Sequence, residues 1–229
     1  MGLGSFFNQL KQFFVSSPLV PKTIQPKRAK KLTMLTKAQQ QNYVAIDCEM
    51  VGVGPNGSVS ALARVSIVDF HGNVLLDEYV KPTQPVTQYR TWVSGIRPKH
   101  LRNARGFKAV TKIVSRLIDK KILVGHAIHH DLQALAMKHP PDLIRDTSTY
   151  QPLLTLAKTD RPSLKKLAKL ILDLQIQQKS HCSIDDAKAT MAIYRTQQEE
   201  WEDELLKSKK QQAELLSPEK HDILPKQPS

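Results

Sequence analysis

Apolar and polar positions follow two rhythms along this chain. The run YVAIDCEMV, from Tyr43, reads as a buried strand. VGPNGS follows as a turn. ALARVSIVDF alternates small or apolar residues with polar ones, HGN is a hairpin turn, and VLLDEYV is a third strand. Three strands joined by short turns predict an antiparallel meander. Pro82 and Pro85 then open an irregular segment that lasts to about Asn103. Beyond it the period changes. GFKAVTKIVSRLI places apolar residues at 107, 110, 113, 114, 117 and 118, the spacing of a helix packed on one side. KILVGH reads as a short buried strand, HHDLQALAMKH as a helix, LIRDT as a strand and PSLKKLAKLIL as an amphipathic helix. Ser183 precedes the helical stretch IDDAKATMAIYRTQQEEW, with Asp186 three residues on, and suits an N-cap. Strands first, then alternation of strand and helix, predict an α/β domain with a mixed sheet and helices on its faces.

The flanks lack these rhythms. Residues 1–42 are read as a basic, flexible extension, 43–196 as the domain, and 197–229 as a charged tail passing from helix to disorder. MGLGSFFNQLKQFFVSS can form a short amphipathic helix with Phe6, Leu10, Phe13 and Phe14 on one side, as a mitochondrial presequence would. PKRAKK fits nuclear import equally well. Position 6 is Phe, which breaks the myristoylation pattern.

Charge narrows the partners. The chain of 229 residues carries Lys+Arg 34 against Asp+Glu 21, net +13. Residues 1–42 hold seven bases and no acid, and residues 197–229 hold five bases and eight acids, so the middle keeps +9. A basic folded domain favours a polyanion, nucleic acid before membrane. No apolar run approaches the roughly 18 residues of a membrane span. Cys48 and Cys182 are the two cysteines, too few for a disulfide framework or a CxxC zinc pattern, and a reducing intracellular compartment is expected.

One detail of the first strand needs a reason. Side chains at i and i+2 share a face of a strand, so Asp47 and Glu49 point the same way at the end of an apolar run. Two close like charges repel and raise a pKa, unless a cation lies between them. Hard oxygen donors select Mg²⁺ or Mn²⁺ over zinc. A lone DxE is equally a solvated strand end. Asp131 and Asp186, each in the first turn of a helix, equally suit the helix dipole, and His181 alone suits a polar surface. Together they form an ordered set: DxE, then D, then HxxxxD.

With that set in view, the chain resembles the DEDDh branch of the DnaQ-like 3′→5′ exonucleases, of the RNA exonuclease 4 type. The segments DCEMVGVGPNGSVSALARVSIVDF, YRTWVSGIRPKHLRNA, LVGHAIHHDLQAL, IRDTSTY, PSLKKLAK and HCSIDDAKATM carry the likeness in order, over about residues 43–196. The resemblance implies an RNase H-like exonuclease fold with a five-stranded mixed sheet flanked by helices. It implies that Asp47, Glu49, Asp131 and Asp186 hold two divalent ions, Mg²⁺ or Mn²⁺, and that His181 is the general base. Metal is then expected to stabilise the fold as well. Ala127 and His130 stand where many members of the superfamily have Asn and an aromatic before the third acid, which leaves open what orients Asp131. His126, His129 and His130 lack accompanying cysteines and are expected to be structural or supporting.

An exonuclease must hold a 3′ end, with bases on apolar groups and phosphates on amides and cations. The resemblance points to Met50 against the terminal base and to Ser94, Gly95 and Ile96 around the terminal nucleotide. Trp92 is placed to stack on a base or to pack in the core. Arg90, Arg97, Lys99 and Arg102 offer a phosphate track, while Lys165 and Lys166 suit solvent. The implied activity is a monomeric 3′→5′ exoribonuclease that acts on single-stranded RNA and releases nucleoside 5′-monophosphates, in ribosomal RNA processing in the nucleus and nucleolus. Two alternatives stay open: an exonuclease on single-stranded DNA, and a catalytically silent RNA-binding factor.

Overall fold

The computed structural model describes residues 35–216. The N-terminal amphipathic stretch, PKRAKK and SPEKHDILPKQPS lie outside the described residues. The chain divides into a compact unit through Thr196 and a second unit, Gln197–Ser229. No helix among the described residues is long and apolar enough to cross a membrane.

The predicted meander forms β1 (Tyr43–Val53), β2 (Val59–Asp69) and β3 (Val74–Lys81), with β1 and β3 each antiparallel to β2. The remaining predicted strands are β6 (Ile122–Gly125) and β7 (Ile144–Asp146), and β1, β6 and β7 run parallel. The order β3-β2-β1-β6-β7 is the expected five-stranded mixed sheet. Two short additions bring the total to seven: β4 (Val86–Gln88) on β1 and β5 (Arg105–Gly106) on β3. They come from the segment read as irregular, where a two- or three-residue strand leaves no alternation to detect. That segment also holds helical turns α2 (Thr91–Ser94) and α3 (Pro98–Leu101). Upstream, α1 (Lys37–Gln40) is one turn closed by a Thr36/Gln39 capping box.

Helix α4 (Phe107–Ile118) lays Val110, Val114 and Ile118 on a core shared with Val44, Ile46 and Cys48 of β1. Helix α5 (His129–Ala134) stops well before the predicted His139, because Ala136 turns to φ 52 and Pro140 and Pro141 follow. Helix α6 (Gln151–Ala157) was not legible between LIRDT and PSLKKLAK, and α7 (Leu164–Leu172) follows it. Helix α8 (Ser183–Leu216) begins at Ser183 itself. Ser183 is therefore not an N-cap: the Cys182 carbonyl accepts from the Asp186 N–H, and the Ser183 side chain is used elsewhere.

The sheet opens where the acids sit. β1 pairs with β6 only from Tyr43 to Ala45, and with β4 only at Gly52 and Val53. Between these points that edge of β1 has no strand partner among the described residues, while its other edge stays on β2. The β1–β2 register shifts between Glu49 and Met50, an irregularity of the kind that re-aims side chains beside sites.

Candidate active site

Asp47 and Glu49 project from the open stretch of β1, and Asp186 reaches them from the first turn of α8. Ligand atoms of these three acids lie within 4.8 Å of one another. Glu49 and Asp186 are buried; Asp47 keeps some exposure. Glu49 Oε1 and Asp186 Oδ1 are buried without a hydrogen-bond partner. An ionised carboxylate oxygen withdrawn from water and left bare is costly. Two such oxygens, in an all-oxygen set, fit a hard divalent cation.

Electrostatics agree with that fit. Burial, reinforced by Asp186, Asp131 and Glu49, holds the Asp47 carboxyl well above the usual range. Burial and Asp186 push Glu49 up to about 8, against the pull of Arg64 and the Ser183 backbone N–H. Burial raises Asp186 to about 7, with Asp185 adding and the Gln177 hydrogen bond opposing. Metal-free, the cluster resists full ionisation near neutral pH.

Asp131 lies outside the 4.8 Å group but belongs to the same electrostatic field, since it raises both β1 acids. It is buried in α5, and burial raises it to about 7 while hydrogen bonds from the Cys48 thiol and backbone draw it down. Its carboxyl thus meets the β1 edge that no strand covers.

The loop before Asp131 is held by Asp146, at the end of β7. Asp146 Oδ1 accepts from Ala127 N at 2.8 Å, Ser148 N at 2.9 Å and Ser148 Oγ at 2.7 Å, and Oδ2 accepts from Ile128 N at 3.0 Å. Ala127 sits at φ 55, and a Cβ at Gly125 would come within 2.7 Å of Ile128, so this turn is tight. The question left by Ala127 and His130 has a structural answer: Asp146 orients the segment. His126 is structural, its Nδ1 3.0 Å from Thr147 Oγ1, whereas His129 and His130 are exposed, their rings tilted against each other with centroids 3.9 Å apart.

His181 is half-buried, with Nδ1 3.6 Å from Asp186 Oδ2. Burial, and then Lys165, lower its pKa, so the imidazole is neutral near pH 7. Two clasps fix it. The His181 N–H donates to the Val93 carbonyl at 2.7 Å, and the Gly95 Cα faces Ser180 and His181 so closely that a Cβ would lie 3.3 Å from the His181 carbonyl. Beyond it, Ser66 donates to Asp77 Oδ1 at 2.8 Å, leaving its oxygen to accept from Ser183 Oγ at 2.7 Å. Arg64 clamps Asp77 through Nε at 2.7 Å and Nη2 at 2.9 Å. This chain, buried at Ser66 and Ser183, ties the start of α8 to β2 and β3.

The expected substrate residues separate. Trp92 is 81% exposed and Arg97 is exposed, so Trp92 is not core packing. Met50 is half-buried against the core. Ser94 and Ile96 do not line an open pocket. Ser94 Oγ donates to the Tyr89 and Arg90 carbonyls and accepts from Ile96 N, and Ile96 is 1% exposed in a core cluster. With Gly95 they shape the turn that clasps His181. Arg90 leaves the phosphate track, because its guanidinium is committed to Ser60 Oγ and the Gly57 carbonyl, both at 2.8 Å. Lys99 and Arg102 remain exposed. Sequence reasoning missed Gln177, Asp146 and the Ser66–Ser183 pair. The one visible signal was Ser66, a small polar residue inside the apolar run of ARVSIVDF.

The Exonuclease family model matches residues 44–194. The chain is 59% identical over 174 residues to RNA exonuclease 4 of Mycosarcoma maydis, a match covering 75% of this chain and 46% of the relative. It is 52% identical to RNA exonuclease 4 of Saccharomyces cerevisiae, over 70% of this chain and 56% of the relative. The mouse (Mus musculus) RNA exonuclease 4 is 51% identical, with 73% and 38% covered. The chain thus spans about half the length of the curated relatives it matches. Among solved structures, the Saccharomyces cerevisiae Pan2 pseudoubiquitin hydrolase–RNA exonuclease module in complex with AAGGAA RNA superimposes with TM-score 0.61 at 26% identity, covering 81% of this chain and 34% of that one. The Neurospora crassa Pan2 catalytic unit, at 22% identity and TM-score 0.60, covers 92% and 35% and shares the fold.

Proposed function

The chain belongs to the Exonuclease (RNase T) family, and from that premise we propose that it is a metal-dependent 3′→5′ exoribonuclease releasing nucleoside 5′-monophosphates from single-stranded RNA. The observation that carries this reading is the convergence of Asp47, Glu49 and Asp186, with two bare buried oxygens, beside a neutral His181. Asp47, Glu49 and Asp186 would hold Mg²⁺ or Mn²⁺, with Asp131 completing the set for a second ion. When bound, such ions lower the pKa of water and stabilise the leaving oxygen of an in-line displacement.

The chain's own residues do the rest. With Nδ1 turned toward Asp186 Oδ2, His181 Nε2 is the nitrogen left to take a proton from water as its oxygen attacks phosphorus. The P–O3′ bond breaks, the shortened RNA keeps a 3′-hydroxyl, and the 5′-monophosphate departs. Trp92 offers a face for a base, and Arg97, Lys99 and Arg102 meet phosphates. Every acid and His181 come from one copy, which supports action as a monomer. The relatives' names support RNA as the substrate, and the basic PKRAKK stretch suits a nuclear setting, where ribosomal RNA processing is the proposed role.

A timed digest of 5′-labelled single-stranded RNA and its DNA counterpart tests the reading. The expected result is a ladder shortening from the 3′ end, faster on RNA, needing Mg²⁺ or Mn²⁺ and abolished by EDTA and by Asp186→Asn. Binding of RNA without cleavage under either metal would overturn it.

A further inference from the structure

We infer that Gln177 is a positioning residue for Asp186, holding one carboxylate oxygen so that the other faces the acid cluster. Gln177 Nε2 donates to Asp186 Oδ2 at 2.9 Å, and Asp186 Oδ1 is the oxygen left buried and bare. With Asp186 ionised, as a metal ligand must be, only this amide orientation bonds, since the reversed one would set oxygen against carboxylate oxygen. A carboxylate left to itself turns about a broad two-fold torsion. A donor on Oδ2 removes that freedom.

The approach to Asp186 shows that this contact is built. The chain leaving α7 alternates: Leu174 and Ile176 are buried, Asp173 and Gln175 exposed. These two anchors deliver Gln177 with its backbone at φ 53, a left-handed conformation that glutamine rarely adopts. Lys165 Nζ donates to the Gln177 carbonyl at 3.2 Å, tying the same residue to α7 from the other side. A strained backbone, two buried anchors before it and a lysine tether converge on one amide aimed at one oxygen. His181 Nδ1 faces that same oxygen at 3.6 Å, so the clamp also fixes what His181 looks toward.

This inference rests on the proposed metal-dependent nuclease. A group that orients a metal ligand changes metal affinity or activity by about 10–100-fold. The test is a calorimetric Mn²⁺ titration of the full chain, comparing the parent with Gln177→Met, Gln177→Ala and Asp186→Asn. Methionine keeps length and packing but has no donor. Melting temperatures in EDTA, and kcat and KM on single-stranded RNA, accompany the titration. The expected result is Mn²⁺ affinity reduced about tenfold or more in both Gln177 variants. Their melting temperature in EDTA should match the parent, with kcat lowered and KM for RNA held. Parent affinity in Gln177→Met, while Asp186→Asn loses Mn²⁺, would overturn the assignment alone. So would an affinity loss that appears only together with a lowered melting temperature in EDTA. Parent affinity in Asp186→Asn would overturn the nuclease reading beneath it.

Discussion

Asp146 and Asp186 are two aspartates at the ends of secondary-structure elements, yet their surroundings are opposite. Asp146 receives three hydrogen bonds on one oxygen and one on the other, from backbone N–H groups and a serine. Asp186 receives Gln177 on one oxygen and nothing on the other, and its near neighbours are acids. A carboxylate answered by donors holds a loop in shape. A carboxylate facing other carboxylates is stable only when something outside the chain answers it. The partners separate the two roles.

The sharpest break of this contrast is loss of catalysis without loss of fold. Asp186→Asn is expected to lower single-turnover RNA hydrolysis by about a thousandfold or more. Its melting temperature in EDTA should stay at or above the parent's, because one repelling charge is gone. Asp146→Ala should instead cost stability. It leaves the Ile128 N–H without its acceptor, at about 1–3 kcal/mol, and the Ala127 N–H with Ser148 Oγ alone at 3.2 Å. Thermal unfolding should register that loss with and without Mn²⁺.

Acidity draws the contrast more finely. Glu49 at about 8, and Asp131 and Asp186 at about 7, are raised above their unfolded values. Between about pH 4 and pH 8 the unfolded chain has released these protons while the folded chain keeps them, so stability falls as pH rises through that window. Melting in EDTA at a series of pH values should show this fall, complete by about pH 8, and Asp186→Asn should make it shallower. The smallest effect belongs to Trp92→Ala. Its side chain is exposed, so stability should hold, while RNA binding weakens by about 1–3 kcal/mol of stacking, read as a raised KM with kcat kept.

Much of this was legible in the sequence where a pattern repeats. β1, β2, β3 and α4 run long enough for an apolar run or a period to be seen, and β6 and β7 were legible as short segments between helical stretches. Asp47 and Glu49 were legible because two acids on one face contradict the apolar run that precedes them. The parts that were not legible are short or non-local. β4 and β5 take their pairing from strands remote in sequence, and α5 ends at a left-handed Ala136 that no residue preference announces. Ser94 and Ile96 were expected around the terminal nucleotide from the resemblance, but their side chains turn inward. Ser183 looked like a cap, and its hydroxyl instead reaches Ser66, 117 positions away.

The central claim is that the bare oxygens of Glu49 and Asp186 await a divalent cation. A Mn²⁺ titration of the melting temperature at pH 8, in the parent and in Asp186→Asn, tests it most directly. The account predicts a saturable rise in the parent that is absent or strongly weakened in the variant. A parent melting temperature that Mn²⁺ does not move, or equal rises in both proteins, would contradict it.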